Sequence, residues 1–164
     1  MEILYFIPVI LIISYIMITC LVFNTVPKSI SNTHYMWKEK GFDYLFTFVM
    51  WATGVPILIY WLGITPKCYQ FLPFLSIAAM CFVGAACAFK ETLTSTVHYA
   101  SAAVWACAAV TYFIMMKEYG CMIAGAAMAI IGLIANKFKN FTFWAEIACV
   151  LAMIIGIGVI SGVF

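Results

Sequence analysis

Charged side chains are scarce in this sequence of 164 residues. Asp, Glu, Lys and Arg make up 9% of it, against about a quarter of a typical soluble domain, and every basic residue is a lysine. Apolar residues make up 67%, and the mean hydropathy is +1.13. This composition excludes an ordinary soluble domain and predicts an integral membrane protein, with the lipid bilayer as its surroundings. The net charge of +2 is too small and dispersed to indicate a nucleic-acid partner.

The signatures of several membrane-protein chemistries are also missing. The two histidines lie in separate segments and the seven cysteines show no C-x-x-C spacing, so no ligand set for a metal is recognisable. The last apolar run has no lysine to carry retinal, and the chain has no H-x-x-x-H pair, P-loop or TVGYG sequence. We therefore expect neither a metal nor a cofactor, favour a non-enzymatic function, and interpret the cysteines as small core residues.

The sequence does contain six apolar runs, each long enough to cross the roughly 30 Å hydrocarbon layer of a membrane as a helix. The runs cover residues 3–26, 44–63, 70–89, 93–116, 120–136 and 141–164. Little of the chain remains for loops, and a separate soluble domain does not fit. We therefore predict an all-α protein with a single transmembrane domain over residues 1–164, in which six helices form a compact bundle.

The lysines are distributed unevenly between the loops. The loops after the first, third and fifth runs contain Lys28, Lys38, Lys40, Lys90, Lys137 and Lys139, whereas the other two loops contain Lys67 and Lys117. Short loops rich in lysine stay in the cytoplasm because positive charge resists translocation. The predicted location is the cell membrane, with the odd-numbered loops in the cytoplasm and both termini outside. This orientation depends on a real break between the fifth and sixth runs, in the string NKFKN.

The longest polar segment follows the first run and has the features of a short helix. Pro27 is expected to end the first transmembrane helix, Ser31 to cap a short helix and Gly41 to stop it. Trp37 suits the headgroup region, so we predict an interfacial helix on the inner leaflet. An anchored loop is the favoured interpretation and a substrate gate the alternative. His34 belongs to this segment and is expected to be exposed, with no special role.

The fourth run carries a polar stripe on one helical face. Its members follow the spacing of a single face and are Glu91, Thr94, Ser95, His98, Ser101 and Trp105. Such a stripe is costly against lipid, so it should face the interior of the bundle or a hydrated cavity. His98 lies about 12 Å along the helix axis from Lys90, at the cytoplasmic end.

A second ionisable residue, Glu146, lies seven residues past Lys139 and therefore at a similar depth from the same face. A carboxylate near an imidazole favours its charged form, so Glu146 and His98 are candidates to carry a proton or to bind a small polar ligand in a shared pocket. The structural alternative is that the histidine forms a hydrogen bond between helices and the glutamate reaches toward the headgroups.

Two further patterns concern helix shape and packing. Gly54 and Pro56 lie near the middle of the second run and predict a kink that is a candidate hinge. Small residues four apart permit close helix contact, either within a compact bundle or in a homo-oligomer. The sets are Gly84 with Ala88, Ala102 with Ala106, Gly125 with Ala129 and Gly132, and Gly158 with Gly162.

Two functions from different classes follow from these patterns. The first is a small permease, channel or sensor for protons or a small polar ligand, with a polar pocket open to the cytoplasm. The second is a non-catalytic assembly or accessory subunit, which packs through its small-residue faces with itself or with a membrane partner subunit.

Overall fold

The computed structural model describes residues 2–86 and 91–164, with the side chains of residues 91–95 excepted. Within these limits the secondary structure is helical, which confirms the predicted all-α class. The helices are α1 (Ile3–Phe23), α2 (Thr33–Lys38), α3 (Leu45–Ile64), α4 (Phe71–Ala85), α5 (Glu91–Met115), α6 (Tyr119–Ala135) and α7 (Phe141–Ile160), with a turn of 3₁₀-helix at Lys67–Tyr69 before α4.

Several of these helices are long and apolar enough to cross a membrane. Five segments of the described chain meet both conditions: Ile3–Phe23, Leu45–Ile64, Lys67–Ala85, Thr96–Met115 and Phe141–Ile160. Helix α6 is also apolar but has 17 residues. Large apolar side chains cover the outside of the bundle, as Leu21 (76% exposed) and Ile123 (69%) illustrate. A surface of this kind suits lipid rather than water, so the fold is consistent with a membrane location.

The long helices alternate in direction, and five of them surround a central space. Helix α1 packs against α3, α3 against α4, and α4 against α5. Helix α7 closes the ring: the Tyr5 hydroxyl of α1 donates to the Ile154 carbonyl at 2.9 Å, and the Phe113 ring of α5 lies over Gly156. Helix α6 lies outside the ring and packs mainly on α7.

Residues in the left-handed conformation make several of the chain reversals, including those at the ends of α1 and α6. Helix α1 ends at Phe23, because Asn24 adopts a φ of 47° and the Thr25 amide bonds back to the Cys20 carbonyl at 3.2 Å. Pro27, which was expected to end this helix, lies beyond the reversal. Positive φ angles at residues 137, 138 and 140 separate α6 from α7, so the break on which the predicted orientation depends is present.

Helix α2 is docked on α1. The Trp37 indole donates to the Thr19 hydroxyl at 2.9 Å, and the hydroxyls of Tyr15 and Thr33 lie 2.6 Å apart. The predicted exposure of His34 is therefore wrong: docking leaves its side chain 7% exposed. This burial lowers the pKa of the His34 imidazole, and the nearby Lys38 ammonium lowers it further.

The ends of α2 match the sequence in part. Gly41 has a φ of 83°, and the Phe42 amide bonds to the Trp37 carbonyl at 3.0 Å, which stops the helix as predicted. At the start, the Ser29 hydroxyl accepts from the Asn32 amide at 2.9 Å. Ser31, the predicted cap, instead shares a hydrogen bond with the Ser29 hydroxyl at 3.0 Å.

Small residues are used for close contacts within the chain. A methyl group on Gly125 would lie 2.6 Å from the Ala148 carbonyl oxygen of α7, and one on Gly158 would lie 2.7 Å from the Tyr5 hydroxyl. The cysteines are less uniform than predicted. Cys121 is buried, but Cys107 and two others, Cys68 and Cys149, are exposed, so the core assignment is wrong for these three.

Candidate functional site

A cavity of about 120 Å³ lies inside the ring formed by α1, α3, α4, α5 and α7. It begins at the end of the bundle that carries Ile30 and Phe46 and extends inward to Ile57 and Ile154. Most of its wall is aliphatic or thioether side chain. The polar and titratable residues on the wall are Ser31, Thr53, His98, Trp105, Glu146 and Cys149.

His98 and Glu146, which the sequence suggested as a pair, line this one cavity. They do not form an ion pair with each other. His98 forms a hydrogen bond with the Val83 backbone of α4, and Glu146 accepts from the backbone amides of Ile30 and Ser31. Each side chain therefore connects two parts of the fold: His98 connects α5 to α4, and Glu146 connects α7 to the segment that contains Ile30 and Ser31. The cavity lies between these two connections.

Glu146 belongs to a set of bonds that hold residues 26–31, here called the strap, against the start of α7. The Asn140 side-chain amide donates to the Val26 carbonyl at 2.8 Å, and the Phe143 amide donates to the Lys28 carbonyl at 3.1 Å. The Glu146 carboxylate then accepts from the amides of Ile30 and Ser31, which also line the cavity. The strap therefore forms the wall of the cavity at one end of the bundle, the end that carries Lys28 and the turn between α6 and α7.

Two of the residues that line the cavity have a buried side-chain polar atom with no hydrogen-bond partner among the described residues. The two groups are the Thr53 hydroxyl and the Trp105 indole N–H. Both side chains are almost completely buried, at 1% and 7% exposure. A buried polar group without a partner costs about 1–3 kcal/mol, so these two groups call for an explanation. Trp105 belongs to the polar stripe that the sequence shows. Thr53 was not among the predicted residues, because a single hydroxyl within an apolar run does not indicate a site.

The residues of the polar stripe do not all line the cavity. The cavity face of α5 consists of His98, Ala102, Trp105 and Ala106, and Ser101 lies outside it. The side chains of the three stripe residues nearest the start of α5 lie outside the described part of the structure. They are Glu91, Thr94 and Ser95.

Gly54 and Pro56, the candidate hinge, lie in α3 beside the cavity-lining Ile57. Helix α3 continues through Pro56. A methyl group on Gly54 would lie 3.2 Å from the Cys81 sulfur, so this glycine permits close approach of α3 to α4. The hinge itself stays a prediction.

A second, more open crevice of about 190 Å³ lies between α5, α6 and α7. Alanines form much of its wall: Ala106, Ala109, Ala126, Ala148 and Ala152. It exists because α6 packs on α7 and makes few contacts with α5.

Comparison with protein-family models, with characterised proteins and with solved structures gives no match. Function is therefore inferred from the cavity itself. A concave, largely apolar site with a few polar groups is typical of small-molecule binding. In the described residues, no three His, Cys, Asp or Glu side chains come together as a metal site would require.

Proposed function

We propose that this chain spans the cell membrane six times, with α6 as the sixth span and both termini outside. Seventeen residues is at the lower limit for a transmembrane helix, which supports counting α6. Alternation of the long helices brings the loops around α2 and the α6–α7 turn to one end. The lysines there favour a cytoplasmic location. The described lysines at this end are Lys28, Lys38, Lys40, Lys137 and Lys139.

Helix α2 lies along the inner surface of the membrane in this arrangement. Its Trp37 side chain is anchored on α1, while Tyr35 is 56% exposed and Lys38 is exposed beside it. An aromatic ring and an ammonium group side by side suit the headgroup layer.

The cavity is the binding pocket of a small permease, channel or sensor for protons or a small polar ligand, entered from the cytoplasmic end. The observation that carries this proposal is that His98 and Glu146 line one cavity, and that Glu146 is bonded to the strap, which forms one wall of it. His98 connects the pocket to α4, and Glu146 connects it to the strap. A ligand or proton that changes either bond can therefore change the contact between two elements.

Accessibility of the cavity tests the proposal. We expect Ala102→Cys, in a variant without the native cysteines, to react with a membrane-impermeant thiol reagent in inside-out vesicles and not in right-side-out vesicles. Ala102 lines the cavity, so the reagent must enter from the cytoplasmic end. The measurement is the rate of labelling.

Val104→Cys is the matched control, because Val104 lies two residues further along α5 and does not line the cavity. It is 39% exposed on the outside of the bundle, where lipid is expected. We expect its labelling to be at least tenfold slower, since lipid excludes the reagent. Equal rates at the two positions, or labelling of Ala102→Cys from the outer side, would contradict a cytoplasm-facing pocket.

The alternative, an assembly or accessory subunit, is supported by the alanine-lined crevice, because small residues allow a helix from another chain to approach closely. In this case Ala126→Leu should fill the crevice and reduce the oligomer size. Ala126 is exposed and lines the crevice. Light scattering in detergent measures the size, and Ala127→Leu, also exposed but outside the crevice wall, is the control. If the parent protein is a monomer and neither substitution changes its size, the result contradicts this function.

A further inference from the structure

The cavity and the alanine-lined crevice are neighbouring spaces with one layer of side chains between them. Four residues line both spaces and are here called the seam: Trp105 and Ala106 of α5, and Cys149 and Met153 of α7. Two of the four side chains, those of Ala106 and Cys149, are small. Helices α5 and α7 also make few contacts with each other. Little therefore separates the cavity from the crevice.

The two small residues of the seam lie at about the same depth in the bundle. Helices α5 and α7 run in the same direction, because α6 between them runs the opposite way. The Phe113 ring of α5 lies over Gly156 of α7, which relates the heights of the two helices. Ala106 and Cys149 each lie seven residues before this contact. The bundle is therefore least closed between α5 and α7 at this level, where the Cys149 side chain is exposed.

The two spaces differ in polarity. Among the described residues, the crevice wall has no hydroxyl, carboxyl or imidazole group. The cavity wall has such groups, and Glu146 lies only three residues before Cys149 on α7. The Glu146 carboxylate can only accept hydrogen bonds. His98 donates through one ring nitrogen to the Val83 backbone, so the other nitrogen of the neutral ring is an acceptor. The cavity therefore favours a donor, and the crevice favours hydrocarbon.

We propose that the cavity and the crevice together bind a single-chain amphiphile with a hydrogen-bond-donating head, such as a primary amine. This inference rests on the proposed function and names the class of its ligand. The head lies in the cavity beside Glu146, and the hydrocarbon chain crosses the seam into the crevice. The chain crosses when α5 and α7 part slightly at Ala106 and Cys149. Because α5 and α6 make few contacts, the crevice also gives the ligand a lateral route to the bilayer.

Size and charge both restrict the ligand. The cavity of about 120 Å³ is slightly smaller than the roughly 150 Å³ that holds benzene in an apolar protein interior, so it holds the head and only a short part of a chain. The crevice adds about 190 Å³ for the remainder. A carboxylate head is excluded, because it would place a second negative charge beside Glu146 and has no proton to donate.

Two photoreactive analogues of dodecylamine test the proposal, one with a diazirine beside the amine and the other with a diazirine at the far end of the chain. Each is irradiated with the full chain in lipid nanodiscs, and mass spectrometry maps the labelled residues. We expect the first analogue to label the cavity wall near Glu146, at residues such as Val150, and the second to label crevice residues such as Ala126. Excess dodecylamine should reduce both signals at least fivefold, and excess dodecanoate less than twofold. Labelling of the outward-facing Ile10, which is 62% exposed, is the background that neither compound should reduce.

A substitution in the crevice locates the chain. Ala126→Phe fills the crevice and should reduce the competable labelling by the chain-end analogue at least fivefold. Ala127→Phe is the matched control, because Ala127 is exposed on the same helix but lies outside the crevice wall.

The possible failures are distinguishable. Labelling of the cavity without competable labelling of the crevice would show that the chain site is wrong and leave the pocket in place. Competition by dodecanoate equal to that by dodecylamine would overturn the donor head. If neither analogue gives competable labelling while Ala102→Cys still reacts from the cytoplasmic end, this inference is overturned and the proposed function stands. If Ala102→Cys does not react either, both are overturned.

Discussion

Replacement of Glu146 with leucine is expected to release the strap from α7. The carboxylate accepts from the backbone amides of Ile30 and Ser31, and leucine offers neither amide an acceptor. The loss of the two hydrogen bonds should cost about 1–3 kcal/mol of local stability. We expect hydrogen exchange of these two amides to accelerate at least tenfold, and labelling of Ala102→Cys from the cytoplasmic end to accelerate with it.

Mass spectrometry of a peptide covering the strap measures the exchange. Glu146→Gln keeps one acceptor oxygen and should give an intermediate rate. Glu118→Leu makes the same change in composition before α6, at the opposite end of the bundle, and should leave the strap unchanged. If the strap exchanges at the same rate in Glu146→Leu as in the parent protein, Glu146 is not what holds it.

Replacement of Gly125 with leucine is expected to separate α6 from α7. Even the Cβ atom of the new side chain would lie 2.6 Å from the Ala148 carbonyl oxygen and 2.8 Å from the Ala152 methyl group. Backbone cannot move aside as a flexible side chain can, so the helices must part. Overpacking of this kind costs about 1–3 kcal/mol, and loss of the helix contact adds to it. Unfolding by denaturing detergent, followed by circular dichroism, measures the difference.

Gly120 provides the control, because a methyl group there would meet nothing within 4 Å. It lies in the first turn of the same helix. Gly120→Ala should change the free energy of unfolding by less than about 0.5 kcal/mol. Equal stability of Gly125→Leu and Gly120→Ala would show that α6 does not pack on α7 through Gly125.

Hydropathy predicted the positions of the long helices within a few residues, because an apolar run of this length has few alternatives to a helix. The end of α1 was missed by three residues, since proline is an obvious stop whereas the left-handed conformation of Asn24 is not. The burial of His34 was missed because it depends on docking of α2 onto α1. Local composition contains no information about such docking.

The candidate site was predictable to a similar extent. Equal depth from one membrane face was enough to suggest that His98 and Glu146 lie together, and both line one cavity. Their actual partners were not predictable. Glu146 bonds to the amide of Ile30, 116 positions away, and backbone groups look the same at every position of a sequence. The unpaired hydroxyl of Thr53 likewise becomes visible only when its neighbours are known.

The hydrogen bond between Tyr5 and Ile154 joins α1 to α7 across 149 positions of the sequence. Because α7 is synthesised after α1, α3, α4 and α5, the cavity has no complete wall until α7 has emerged from the ribosome. The polar side chains that line the cavity face lipid or water until α7 packs against the other helices. Ring closure is therefore a late event in biogenesis, and a chain that stops before α7 is a bundle without an interior compartment.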